Sequence, residues 1–222
     1  MSIKPFPELS ELQIDCLVEK LQQWSLANGL VMYPQGFTQS STSVAPITLF
    51  PTPFPRKSFE NAVNVQKTFN ELYAGVVKNK DWLLNIIELL SEFDPDFTGK
   101  LYDTYKKSVD LGIKQKLSLG LFRSDYMVND KAGSEYPEIK QIEFNTVSIS
   151  FGGLSTKIGQ AHNYLNKVGA YDADYSYKYY TDLEIPSSDS ANKLATGLAV
   201  ANEKYKETVE GASKNPVILF IV

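Results

Sequence analysis

The sequence has few of the features that mark secreted, membrane or nucleic-acid-binding proteins. It contains a single cysteine, Cys16, so no internal disulfide can form, and its first residues lack the apolar core of a signal peptide. No apolar run approaches the roughly 18 residues needed to cross a bilayer. Lys and Arg number 22 against 26 Asp and Glu, without a basic block. We therefore expect a soluble cytoplasmic protein that binds neither membranes nor nucleic acid.

Residues that could react or bind a metal on their own are also scarce. The sequence has one histidine, His162, and no second histidine or cysteine lies near it, which predicts a surface or hydrogen-bonded histidine rather than a metal ligand. Cys16 falls on a predicted amphipathic helix, where a small buried apolar residue is expected more than a nucleophile.

The first half of the chain is predicted to be helical. With 43% hydrophobic and 22% charged residues, the composition is that of a globular protein. Apolar residues at helical spacing predict four helices, whose stripes we expect to be buried. The first is predicted from about Pro7 to Asn28, with Gly29 as its stop, and Asp94 and Pro95 begin the fourth. The stripes are Ile14, Leu17, Val18, Leu21 and Trp24; Phe59, Ala62, Val65, Phe69, Leu72 and Val76; Trp82, Leu83, Ile86, Ile87 and Leu90; and Phe97, Leu101, Tyr105 and Val109.

A long proline-containing connection separates the first two predicted helices. Residues 30–57 include five prolines, and a loop of this length in a compact domain is usually functional or packed as an interface. A simple tether is the alternative.

Beyond residue 116 the apolar period changes from helical to about two. Residues 117–127 and 139–150 predict two strands, joined by a polar turn into an antiparallel hairpin. Alternation places polar residues on one face and Ile142 and Phe144 on the other. The polar residues are Arg123 and Asp125 on the first strand and Gln141, Glu143 and Asn145 on the second.

Glu143 and Asn145 carry the strongest chemical signal of the sequence. Because same-face neighbours on a strand lie roughly 6.6 Å apart, a carboxylate and a carboxamide project side by side there. Such oxygens are ligands that Mg²⁺ accepts together with phosphate oxygens. The alternative is a solvated polar face on which Arg123 and Glu143 form a cross-strand ion pair.

Two further segments carry expectations. Gly152 and Gly153 predict a tight turn between strand and helix, where backbone amides could meet an anion, although a plain turn explains two glycines equally well. Ser148 and Ser150 before it could donate hydroxyls to a substrate carboxylate. The apolar run 216–222 predicts a strand buried in a sheet, and we expect the sequence to be the N-terminal part of a longer protein.

Three motifs resemble a known family. The segments 121–127 (LFRSDYM), 139–154 (IKQIEFNTVSISFGGL) and 45–55 (APITLFPTPFP) closely resemble eukaryotic-type glutathione synthetase. The resemblance implies an ATP-grasp ligase that joins γ-glutamylcysteine to glycine through an acyl phosphate. It further implies a cytosolic homodimer that uses Mg²⁺.

The resemblance also assigns residues. It implies that Glu143 contacts both ATP and Mg²⁺, that Asn145 binds the metal, and that Arg123 binds substrate. The stretch that would grip γ-glutamylcysteine is Val147, Ser148, Ile149 and Ser150. No catalytic side chain is implied within this chain, because the glycine contacts, the nucleotide-binding lysines and the glycine-rich lid of the family would lie beyond it.

The expected fold class is mixed α+β. Residues 1–214 would be the helical and sheet part of the ATP-grasp catalytic domain, leading into its antiparallel strands. Residues 215–222 would be the first strand of a truncated substrate-binding domain. An inactive paralogue or regulatory fragment, acting as a peptide-binding and dimerisation module, is the alternative function.

Overall fold

The computed structural model describes residues 5–36, 41–115, 117–174 and 176–220. The chain divides into two compact units. Unit 1 comprises Met1–Phe54 and Ser148–Val222, and unit 2 comprises Pro55–Val147. The expected mixture of helices and small antiparallel sheets is confirmed.

In the part of the chain that the structure describes, each unit contains helices and one two-stranded sheet. Among the helices of the described residues, none has both the length and the apolar character needed to cross a membrane. The elements of unit 1 are α1 (Glu11–Asn28), β1 (Val31–Met32), β2 (Ser43–Val44), α5 (Gly152–Lys167) and α6 (Ser190–Thr208). Those of unit 2 are α2 (Arg56–Lys78), α3 (Lys80–Phe93), a π-helical turn (Pro95–Gly99), α4 (Lys100–Asp110), β3 (Arg123–Asn129) and β4 (Glu138–Asn145).

Helix α1 begins at Glu11, later than the predicted start at Pro7. Ser10 and Gln13 form a capping box: the Ser10 hydroxyl accepts from the Gln13 amide, and the Gln13 side chain accepts from the Ser10 amide at 2.9 Å. This reciprocal pair satisfies two donors that the first turn leaves free, and it therefore fixes the start. The predicted stop is confirmed, since Gly29 adopts a left-handed φ of 73°.

The core of unit 1 lies between α1, α5 and the segments that follow α1 and α5. The long connection predicted after α1 contributes to it, because it contains the antiparallel pair β1 and β2 and the buried Leu30 and Ala45. Buried apolar members are Leu17, Leu21, Leu30, Ala45, Ala161, Leu165, Tyr171, Tyr180 and Ile185.

Cys16 is exposed, which corrects the expectation that it is buried. Its neighbour Leu17 is fully buried. Successive residues of an α-helix are rotated by about 100°. The stripe through Leu17 and Leu21 faces the core, and Cys16 lies outside that stripe.

The predicted turn at Gly152 and Gly153 is wrong, since both residues are the first residues of α5. The left-handed positions lie just before them, at Ser148 with φ 52° and Phe151 with φ 69°. Gly152 has a packing role instead: a Cβ there would lie 2.4 Å from a methyl carbon of Leu194 on α6. Its missing side chain lets α5 and α6 approach.

The predicted C-terminal strand is not formed over 216–220, and residues 221–222 lie outside the described residues. Val217 is 89% exposed, and Leu219 and Phe220 are also exposed. A strand requires a hydrogen-bonding neighbour, and neither two-stranded sheet of the described chain includes this segment. The domain boundary predicted between residues 214 and 215 stays a prediction.

In unit 2 the helices occur where the apolar stripes predict them. Asp94 caps the fourth predicted helix by accepting from the amides of Phe97 and Thr98, and Pro95 takes the first position. The first turn is π-helical, and α4 follows it. The expected burial of the stripes is wrong here, because α3 and α4 bury no described residue fully and Phe93 is 86% exposed.

The predicted antiparallel hairpin is confirmed as β3 paired with β4, although both strands are shorter than predicted. Its register contains a bulge: Asp125 pairs with Glu143 but Tyr126 pairs with Gln141, so Ile142 is an extra residue. The bulge resets the side-chain alternation. Gln141 therefore lies on the side of Ser124, whose hydroxyl accepts from the Gln141 amide at 3.3 Å, and not with Glu143 as predicted.

The apolar side of the hairpin packs on α2. The ring of Phe144 stacks on Tyr73 at a centroid distance of 3.8 Å and an interplanar angle of 4°. Tyr126 contacts Phe69 with centroids 6.4 Å apart. These contacts hold the apolar side of the hairpin against α2. The polar side, which carries Arg123 and Glu143, faces away from α2.

Candidate functional site

Four polar side chains meet at one end of the hairpin in unit 2. Arg123 pairs in register with Asn145, and Asp125 pairs with Glu143. Because residues two apart on a strand share a face, the register brings all four onto the side opposite Phe144. We call this group, Arg123, Asp125, Glu143 and Asn145, the hairpin cluster.

Arg123 is held mainly by its strand neighbour Asp125. The guanidinium donates from Nε to Asp125 Oδ1 at 2.8 Å and from Nη2 to Oδ2 at 3.0 Å. The cross-strand pair considered from the sequence is also present but longer, with Nη2 3.5 Å from Glu143 Oε1. Two parallel hydrogen bonds orient a guanidinium, whereas one longer contact does not.

Asn145 joins the two carboxylates through its amide nitrogen. Nδ2 donates to Glu143 Oε1 at 2.8 Å and approaches Asp125 Oδ2 at 3.4 Å. These contacts use the nitrogen of the carboxamide. The oxygen Oδ1 is the atom that Asn145 can offer to a cation.

The electrostatics of the cluster follow from these contacts. The hydrogen bond from Arg123 lowers the pKa of Asp125 below its usual value, and the same bond raises the pKa of Arg123. With Arg123 and both carboxylates charged, the cluster carries one more negative than positive charge. Since the side chains of Arg123, Asp125 and Glu143 are 38%, 37% and 55% exposed, solvent and ligands can reach them.

The cluster can hold a small hard cation with help from a ligand. Glu143 and Asn145 supply two oxygen donors on adjacent same-face positions of β4. No group of three or more His, Cys, Asp or Glu that could hold a metal occurs among the described residues. This donor set fits Mg²⁺, which proteins commonly bind through one or two carboxylates while phosphates and water complete the shell.

The predicted substrate segment extends past the hairpin. Val147 is the last residue of unit 2 and is 76% exposed. Ser148, Ile149 and Ser150 belong to unit 1, where the Ser150 amide donates to the Ser148 carbonyl at 2.7 Å. A left-handed φ on a non-glycine residue such as Ser148 is uncommon and often marks a functional position. The substrate role of this segment stays a prediction.

Sequence reasoning placed Asp125 on the polar face but gave it no role. Arg123 and Asp125 are two residues apart on a predicted strand, and this spacing could have indicated that their side chains interact. The aromatic support behind the site was also missed, because Tyr73 lies on a helix and meets Phe144 only through the tertiary fold.

The family model described as "Eukaryotic glutathione synthase, ATP binding domain" matches residues 11–214. The chain belongs to the eukaryotic glutathione synthase family. The matched range includes the whole hairpin cluster and the segment that follows it.

Curated relatives carry the same family name. The chain is 32% identical to "Glutathione synthetase large chain" of Schizosaccharomyces pombe, over 95% of this chain and 44% of that protein. It is 36% identical to mouse glutathione synthetase, over 95% of this chain and 42% of the relative. It is 34% identical to human glutathione synthetase, over 94% of this chain and 41% of the relative. The chain spans less than half the length of these relatives.

A solved structure shares the fold. It is a glutathione synthetase-like effector from Globodera pallida in its apo form, with a TM-score of 0.67 and 24% sequence identity. The match covers 92% of this chain and 42% of that chain.

Proposed function

We propose that the full-length protein is a glutathione synthetase, which joins γ-glutamylcysteine to glycine with ATP through an acyl phosphate. Family membership and the names of the curated relatives support this function. The observation that carries it is the hairpin cluster, where Arg123, Glu143 and Asn145 meet at one end of β3 and β4. Under this proposal the chain contributes to an ATP-grasp catalytic domain.

In this function Glu143 and Asn145 hold Mg²⁺, and Glu143 also contacts ATP. When bound there, Mg²⁺ would supply positive charge that offsets the negative charge of phosphate oxygens. The substrate carboxylate is itself the nucleophile, so the first step requires no side-chain base. The side chains of this hairpin contribute orientation and charge.

Arg123 binds a carboxylate of γ-glutamylcysteine, with Val147, Ser148, Ile149 and Ser150 as further contacts. A guanidinium matches a carboxylate with two parallel hydrogen bonds, a geometry that lysine cannot reproduce. Glycine would bind outside this chain. We further propose a homodimer in the cytoplasm, noting that an Arabidopsis thaliana relative, 33% identical, is named as chloroplastic.

The test of the metal assignment is Glu143→Gln in the full-length protein. Glutamine keeps the size of the side chain but removes the charge that balances Mg²⁺. We expect turnover to fall by about 100-fold or more, equal to about 2.7 kcal/mol of transition-state stabilisation. Glu138→Gln is the matched control, because Glu138 lies on the same strand, is similarly exposed and pairs with Lys140 at 2.8 Å. Near-normal turnover of Glu143→Gln at ordinary Mg²⁺ would contradict the assignment.

Arg123→Ala tests the substrate assignment separately. Because Arg123 would bind the carboxylate in the ground state, its loss should chiefly raise the KM for γ-glutamylcysteine. The apparent Mg²⁺ requirement should stay nearly unchanged. Steady-state kinetics with Mg²⁺ titration distinguish the two roles, and a variant that changes metal dependence but not peptide KM would show that we have divided them wrongly.

A second candidate is a peptide-binding protein without ligase activity. The two functions differ in one measurement. A full-length protein that binds γ-glutamylcysteine but forms no glutathione with ATP, glycine and Mg²⁺ would be the binding protein.

A further inference from the structure

Among the described residues, both short hydrogen bonds of the Arg123 guanidinium lie on one edge, and the contact with Glu143 is longer. The guanidinium carries five N–H donors, and Asp125 accepts one from Nε and one from Nη2. The remaining donors are on Nη1 and on the outer side of Nη2, along the terminal edge of the group. That edge can still form a two-pronged contact with a second carboxylate.

Asp125 also lies between Arg123 and the residues assigned to the metal. It shares a face of β3 with Arg123, pairs across the hairpin with Glu143, and its Oδ2 is 3.4 Å from Asn145 Nδ2. Glu143 is 3.5 Å from Nη2 of Arg123, whereas the Asp125 contacts are 2.8 and 3.0 Å. Two carboxylates therefore compete for one guanidinium, and Asp125 is the closer.

We propose that Asp125 is a positioning residue of this site, which orients Arg123 toward the substrate carboxylate and keeps the contact between Arg123 and Glu143 long, at 3.5 Å. This inference deepens the proposed function and rests on it. In this proposal Asp125 binds neither the substrate nor the metal directly. Its effect passes through the direction of one guanidinium.

The competition predicts two effects from one substitution. If Asp125 loses its charge, the edge of Arg123 that it held becomes free, and the nearest remaining carboxylate of the cluster is Glu143. A closer Arg123–Glu143 pair would turn the terminal edge away from the substrate and would compensate the charge that Glu143 offers to Mg²⁺. Substrate affinity and metal affinity should therefore both fall.

A purely structural role predicts something different. The Arg123 and Asp125 side chains are both more than a third exposed, and exposed ion pairs contribute little to stability. If Asp125 only joined the strands, its replacement would lower the melting temperature slightly and leave both affinities unchanged.

The experiment uses the full-length protein with Asp125→Asn, which keeps the shape of the side chain. We expect the KM and the calorimetric Kd for γ-glutamylcysteine to rise by about 10-fold, and the Mg²⁺ concentration for half-maximal activity by about 3-fold or more. Turnover at saturating substrate and Mg²⁺ should change by less than about 3-fold. Glu138→Gln, at the far end of the same hairpin, should change none of these values.

The double variant Arg123→Ala with Asp125→Asn decides the mechanism. Without the guanidinium nothing is released to neutralise Glu143, so the Mg²⁺ requirement should return to that of Arg123→Ala alone. A Mg²⁺ shift that persists in the double variant would overturn the proposal, as would unchanged substrate and metal affinities in Asp125→Asn. If the wild-type protein forms no glutathione, both the proposed function and this inference are wrong. If the wild type is active and Asp125→Asn has the same substrate and metal affinities, only this inference is wrong.

Discussion

The single histidine of the sequence is a buried structural residue in unit 1. His162 is 5% exposed, and its Nδ1 lies 2.7 Å from the hydroxyl of Tyr171. That hydroxyl donates to the Leu49 carbonyl at 3.2 Å, so it accepts from His162, which fixes the neutral ring with its proton on Nδ1. Burial lowers the pKa of His162 to about 4. The sequence predicted a surface or hydrogen-bonded histidine, and the hydrogen-bonded alternative is confirmed.

We expect this histidine to make unit 1 sensitive to mild acid. The pKa of His162 in the unfolded chain is about 6.5, so between pH 6.5 and about 4 the unfolded state binds more protons. Stability therefore falls as pH is lowered through this window, by about 3 kcal/mol in total. Hydrogen exchange of α5 peptides in the full-length protein measures it. His162→Gln, which has no proton to gain, should show a flatter pH dependence; parallel curves for the two proteins would contradict the prediction.

At the residue scale, the sequence predicted chemical types better than contacts. Alternation placed Arg123 and Asp125 on the polar face of one strand, and Glu143 and Asn145 on the polar face of the other. All four meet in the structure. The competition between Asp125 and Glu143 for Arg123 depends on differences below 1 Å, which no residue pattern contains. The exposure of Cys16 could have been predicted, because this residue lies outside the apolar stripe that the sequence predicts through Leu17 and Leu21.

At the scale of elements, the existence of the helices α1 to α4 and of the hairpin was predictable, whereas β1, β2 and α6 were not predicted and the strand expected at 216–222 is not formed over 216–220. The helices α1 to α4 and the hairpin occur where periodicity predicts them. Local irregularities were not predictable either. A bulge adds one residue to a strand without changing its apolar composition, so the strict alternation through Ile142 misplaced Gln141. The π-helical turn Pro95–Gly99 likewise includes one extra residue, since the Gly99 amide donates to the Asp94 carbonyl five residues earlier at 2.9 Å. Capping by Asp94 at this position was correctly expected.

The two glycines at the start of α5 give a matched test of element packing. Gly152→Ala places a Cβ 2.4 Å from a methyl carbon of Leu194, so α5 and α6 must shift or Leu194 must change rotamer. Such overpacking costs about 1 to 3 kcal/mol. A Cβ on Gly153 meets no atom within 4 Å, and Gly153→Ala should stabilise the helix by up to about 1 kcal/mol.

Thermal melts of the two variants should therefore shift in opposite directions. Both substitutions add the same methyl group to adjacent positions of one helix, which makes each the control of the other. Equal shifts would show that helix propensity at this terminus, and not the contact with Leu194, sets the effect.

At the scale of the whole molecule, apolar surface remains uncovered in both units. In unit 2, Phe93, the last residue of α3, is 86% exposed, and Leu111, which follows α4, is 80% exposed. In unit 1, Val217 and Leu219 are 89% and 79% exposed. Large apolar side chains that are exposed to this degree mark interaction sites in full proteins and aggregation sites in isolated chains where they lie together. The sequence does not predict this exposure, because an amphipathic helix has the same apolar pattern whether its apolar side is covered or exposed.

The 222-residue chain expressed by itself should consequently self-associate. We expect concentration-dependent species larger than a monomer in sedimentation velocity, together with strong binding of a hydrophobic dye, because the exposed side chains are removed from water when chains meet. Phe93→Glu should reduce the association if the helices of unit 2 drive it, whereas Leu219→Glu should reduce it if the segment 216–220 does. Each variant serves as the control for the other, since both add one negative charge at a highly exposed position. Monodisperse monomer that unfolds cooperatively and binds no dye would show that these surfaces do not associate.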